Sequence, residues 1–177
     1  MDKKISLKAY LLFIPVAYAS YLFHEFGHWI VGKVLGNKMI FSLNYVWPKS
    51  GHYIYPGHDL LVSIGGPAFT ILLAVIFLLI IEKYISIYAY PVVFFQFVLR
   101  FFSLAFGGFE KQDEARIASL LNINTYIIGI IVVLILFLIV FRASYKLKID
   151  FKQNSYFFTV SILCQVMVIA TYQLTGL

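Results

Sequence analysis

Three residues within five positions, His24, Glu25 and His28 in "SYLFHEFGHWIVG", have types and spacing suited to metal chemistry. Histidines four residues apart project from one face of an α-helix on successive turns. That spacing lets two imidazoles bind one Zn²⁺ at roughly 2.0–2.1 Å. Glu25, next to His24, can take a proton from water activated in the metal's open position. The chain holds four His and four Glu among 177 residues, and random placement would give roughly 0.002 His-Glu-x-x-His patterns. The surrounding residues are apolar enough to enter a bilayer, where ionisable side chains are costly and mark function. The expectation is metal-dependent hydrolysis, with zinc as cofactor, His24 and His28 as ligands and Glu25 as the catalytic base.

The elements that must position these residues follow from composition. The chain is 62% hydrophobic and 12% charged, against roughly 45–50% and about 25% in a soluble domain. Its mean hydropathy is +0.89. This predicts an all-α, polytopic integral membrane protein, multi-pass, folded as a single membrane domain over residues 1–177. The net charge of +6 is scattered, with no basic block of the kind that binds nucleic acid, so the expected surroundings are lipid bilayer and not nucleic acid. The single cysteine, Cys164, excludes an internal disulfide or a thiolate metal cluster. The start, "MDKKISLKAYLLFIPVAYAS", resembles a signal peptide, but the apolar run continues through the histidine motif and reads as an uncleaved span.

About 20 apolar residues in a helix cross the hydrocarbon layer, and five stretches meet or approach that length. They are residues 9–35, 60–81, 87–106 (interrupted by Arg100), 126–141 and 156–174, with "EKYIS" making a tight antiparallel pair of the second and third. Residues 37–58 are too broken by Pro, Gly and Asn to span. Phe41, Leu43, Tyr45 and Trp47 alternate with other residues, "PKSG" offers a turn and "HYIY" a return strand, which predicts a membrane-associated β-hairpin. In residues 108–122 a charged cluster precedes Ile117, Leu120 and Leu121 at helical spacing, which predicts a short amphipathic helix before the fourth span.

Zinc hydrolases commonly use three protein ligands and keep a fourth position for water. The histidine motif lies toward the far end of the first span. The second span begins on that side and the third returns to it, carrying residues 108–116. Asp113 is therefore the first choice as third metal ligand, with Glu110, Glu114 and Asp59 on the same side and His52 and His58 in the intervening loop. Arg100 needs an acid near the site or an interface to reach. Gly65, Gly66 and Pro67, read as the start of a span, favour close helix approach, and Gly32 and Gly36 form a G-x-x-x-G packing signal.

Three segments in order resemble the site-2 protease family of intramembrane zinc metalloproteases. "HEFGH" (His24 to His28) is similar to the family's zinc-binding helix. "GGPAFTILLA" (Gly65 to Ala74) resembles the glycine-proline opening of its next core helix, with Thr70 where the family often has Asn. "QDEARI" (Gln112 to Ile117) resembles its D-G-G-R segment, with Glu114 and Ala115 in place of the two glycines. The resemblance covers about residues 10–122, a three-helix core, and residues 123–177 would add two further transmembrane helices. It implies an intramembrane protease that hydrolyses a peptide bond in a membrane-spanning protein substrate, with Asp113 as third zinc ligand. It also implies that the hairpin dips into the membrane and pairs with an extended substrate. The alternative expectation is a non-proteolytic membrane protein on the same scaffold that binds substrates or partners around a structural zinc.

Overall fold

The computed structural model describes residues 6–175; residues 1–5, part of the signal-like start, lie outside the described residues, as do 176–177. Helix α1 (Leu7–Leu11) leads directly into α2 (Phe13–Val34), followed by the strands β1 (Met39–Ser42) and β2 (Tyr45–Pro48). Helices α3 (Pro56–Tyr84), α4 (Tyr90–Phe106), α5 (Asp113–Leu120), α6 (Thr125–Leu147) and α7 (Phe151–Thr175) complete the chain. The architecture is helical apart from the one hairpin. Among the described residues four helical stretches are long and apolar enough to cross a membrane: Pro56–Tyr84, Ile87–Phe106, Thr125–Leu147 and Phe151–Thr175. The first of the five expected spans is not among them. His24, Glu25, His28 and Lys33 all fall within the 22 residues of α2 and lower its hydropathy.

Helix α3 packs against α2, α4 and α6, while α4 also meets α2, α6 and α7. At the starts of α2, α4 and α7 the core is aromatic. Phe13 lies 6.4 Å from Phe94 and 5.6 Å from Phe157, and Tyr90 lies 5.2 Å from Phe157, between ring centroids. The buried Tyr90 hydroxyl is satisfied without any charge. It donates to Asn154 Oδ1 (2.5 Å), Asn154 Nδ2 donates to Ser144 Oγ (3.3 Å), and Ser144 Oγ lies 2.6 Å from Tyr90, closing a ring that joins α4, α6 and α7.

The hairpin forms, with a different turn from the one expected. The pairs Met39–Pro48, Ile40–Trp47, Phe41–Val46 and Ser42–Tyr45 place the turn at Leu43–Asn44. The chain folds back inside the alternating run, "PKSG" follows the second strand, and "HYIY" is not a strand. Burial accounts for the shift: Leu43 at the tip is buried and joins the hydrophobic core, which a continuous strand over residues 39–47 would not achieve. Asn37 fixes the hairpin's base. Its amide donates to the Gly32 carbonyl (3.2 Å) and its Oδ1 accepts from the Ile54 N–H (2.9 Å).

Three smaller expectations are also corrected. Helix α3 begins at Pro56, so Pro67 sits well inside it and not in a first turn, where it withholds a donor from the Ser63 carbonyl. Gly32 faces the Met39 side chain and not a helix, while Gly36 takes the left-handed conformation (φ 84°) that ends α2. In α5, Ile117 is buried but Leu120 is exposed, as is Leu121 just past the helix end. The inward face is completed by Glu114, Ala115 and Ala118, because α5 is seated by an ion pair as well as by apolar contact.

Candidate metal centre

The site forms where α2 and α3 come closest. A Cβ on Gly27 would strike the backbone of Gly65, and one on Gly65 would strike Gly27, so the two glycines allow near backbone-to-backbone contact. One residue further along α3, a Cβ on Gly66 would run into the imidazoles of both His24 and His28. Both rings therefore abut a bare turn of α3, at 4.9 Å between centroids and an interplanar angle of 87°. The same face of α3 orients them. His28 Nδ1 donates to the Val62 carbonyl (2.6 Å), and His24 Nδ1 lies 2.9 Å from the Thr70 hydroxyl oxygen. With each Nδ1 engaged, each Nε2 is left to face the same point, the arrangement that fixes the tautomer of metal-binding histidines. Val62, Gly66 and Thr70 are spaced four apart, so one helical stripe supplies the whole cradle.

Asp113 arrives from the other side. Helix α4 ends at Phe106 with Gly107 as its cap, Gly108 turns the chain at φ 86°, and α5 opens on Asp113. Its Oδ2 lies 3.0 Å from His24 Nε2 and 3.3 Å from His28 Nε2, and the two Nε2 atoms are 3.3 Å apart. Ligand atoms of these three residues all lie within 4.8 Å of one another, so the group can hold a metal ion. Donors at about 2.0–2.2 Å around a tetrahedral ion stand about 3.3 Å from each other, and the observed separations suit that spacing. The charges agree as well. Arg100 and Glu114 neutralise each other, which leaves the carboxylates of Glu25 and Asp113 for one divalent cation to balance.

Of the other acids and histidines on this side, Glu114, Asp59 and His58 are engaged elsewhere. Glu114, fully buried, forms a two-point ion pair with Arg100: Nε donates to Oε1 at 2.9 Å and Nη2 contacts Oε2. Arg100 thus pairs with an acid and does not reach for an interface. Asp59 pairs with Arg116 (2.7 Å), His58 Nδ1 accepts from Asn37 (3.0 Å), and Glu110 and His52 are exposed. Sequence reasoning missed Val62 and Thr70 as ring supports and Glu114 as the partner of Arg100. The i, i+4, i+8 stripe from Val62 to Thr70 was the available signal for the first two.

A cavity of about 320 Å³ opens over this group. Glu25, His24, His28, Asp113 and Arg100 line its floor, and Asn44 to Trp47 of the hairpin line one wall. Glu25 is buried, and among the described residues its side chain forms no hydrogen bond, so its carboxylate is free toward the cavity. At the rim the Arg116 guanidinium stacks on Trp47 at 4.9 Å, and Trp47 lies 5.9 Å from Tyr53. Burial pushes the Tyr53 hydroxyl, which lines the cavity, up to about 12.

No protein-family model matches the chain, and neither the curated proteins nor the solved structures contain a significant match to it.

Proposed function

We propose that this chain is a multi-pass integral membrane protein that hydrolyses a peptide bond in a membrane-spanning protein substrate, using zinc held by His24, His28 and Asp113. The observation that carries this reading is the free Glu25 carboxylate in a cavity shared with three converging metal-binding side chains. The resemblance of residues 10–122 to the site-2 protease core points the same way. On this reading α2 is a fifth span whose polar residues are sheltered by α3, α4 and α5, the hairpin lies in the membrane, and α6 and α7 are additions to the core.

Bound zinc supplies a Lewis acid that polarises a peptide carbonyl and lowers the pKa of water. Glu25 takes a proton from the attacking water as its oxygen bonds to the carbonyl carbon. It returns that proton to the amide nitrogen as the carbon–nitrogen bond breaks, leaving a carboxyl and an amine terminus. Among the described residues β2 pairs with β1 alone, and its residues face the cavity. The unpaired edge suits an extended substrate backbone added as a further strand.

Purified protein is expected to hold about one zinc ion. Glu25→Gln should keep that zinc and lose cleavage of a membrane-embedded substrate by about 10²–10⁴-fold. Cleavage that survives the substitution sinks the proposal. Zinc-replete protein that cuts no membrane segment across a broad screen would instead support a binding protein with structural zinc.

A further inference from the structure

Arg100 is only 3% exposed, yet it lines the cavity beside the metal-binding group. Its pairing with Glu114 uses Nε and Nη2 and holds the guanidinium plane in one orientation. The remaining nitrogen, Nη1, is directed at His24 Nε2 at 3.5 Å, and Nη2 stands 3.7 Å from Asp113 Oδ2. Both neighbours are the donor atoms that converge on the metal position. Once the His24 Nε2 lone pair is committed to a metal ion it cannot also accept from Nη1. A buried N–H donor then faces the cavity and needs an oxygen.

We infer that Arg100 is an anion-stabilising residue of this site: its Nη1 donates to the substrate carbonyl oxygen as negative charge gathers on it during addition of water, while Glu114 holds the guanidinium in place. The inference rests on the hydrolytic reading above for its substrate, but anion binding itself can be measured without turnover. A donor fixed in advance at the site of developing charge is worth about 10²–10³ in rate when removed. The cavity's second arginine, Arg116, is paired with Asp59 and stacked on Trp47 at the rim, and its asparagine, Asn44, is exposed.

Two variants test it. Arg100→Met combined with Glu114→Leu removes both charges together, so neither is left buried and unpaired. Arg100→Lys keeps a cation opposite Glu114 but loses the planar fork. Three quantities are read: metal content, the affinity of acetohydroxamate for cobalt(II)-loaded protein by visible absorption, and kcat against KM on a membrane-embedded substrate. Both variants should keep about one metal ion and bind acetohydroxamate at least about tenfold more weakly. The double variant should lose about 10²–10³ in kcat with KM little changed. Unchanged acetohydroxamate affinity in metal-replete variants overturns the inference. So does loss of the metal itself in both, which would leave Arg100 a positioning residue for Asp113. If the parent protein cuts nothing but the variants still weaken acetohydroxamate binding, the anion site stands and the proteolytic reading falls.

Discussion

Among the described residues, two of the buried polar clusters sit on α4 residues ten positions apart, or about 15 Å of helix, and they are built from different chemistry. Near the start of α4, Tyr90, Ser144 and Asn154 close a neutral ring in which each group satisfies the next. Further along, Arg100, Glu114, Asp113, Glu25 and two histidines crowd together, with charges in excess of what pairing requires. Three helices can be joined at low cost by hydroxyls and amides, because neutral hydrogen bonds carry a smaller desolvation penalty than ions. The buried ion pair that seats α5 is a costlier join than this neutral ring. On the hydrolytic reading proposed above, the concentration of ions around one cavity is where the chain accepts that penalty for chemistry.

Substitutions can break or sharpen this contrast. The largest effect after Glu25→Gln should come from Gly66→Ala, whose methyl group would collide with both imidazoles. Zinc content by atomic absorption should fall to near zero while helicity by circular dichroism stays close to that of the parent. Thr70→Val keeps the shape but withdraws the oxygen 2.9 Å from His24 Nδ1. Zinc affinity by competition with a chelator should weaken about 10–100-fold, the usual cost of losing such an outer partner. Tyr90→Phe should act in the opposite sense. It opens the neutral ring and lowers stability by about 1 kcal/mol in denaturant titrations, with zinc content and cleavage unchanged. Lost cleavage in that variant would show that the two clusters are coupled. Smallest of all, Glu82→Gln removes the exposed partner of Arg142 and Lys146 and should leave thermal unfolding unmoved, since such surface pairs contribute little.

Local pattern was enough for the helical elements and for the first half of the site. The long apolar runs and the His-Glu-x-x-His spacing each belong to one helix, so their geometry follows from helical periodicity. The hairpin was legible as an element but not in register, because a strand of alternating residues can turn at several points until burial of Leu43 selects one. The inward face of α5 was misread for a related reason. Leu120 and Leu121 match the apolar period, yet Glu114 faces inward because Arg100 is there to receive it.

By itself, therefore, the sequence determined a helical, strongly apolar chain carrying two imidazoles and a carboxylate on one helix face, because these are properties of composition and short spacing. The tertiary structure alone decided which acid meets the histidines, which acid neutralises Arg100 and which atoms hold the rings. Asp113 lies 89 residues from His24 along the chain, and neighbouring Glu114 has the same charge. No local rule separates the two. Only the seating of α5 against α3 and α6 turns one carboxylate to the imidazoles and the other to the guanidinium of α4.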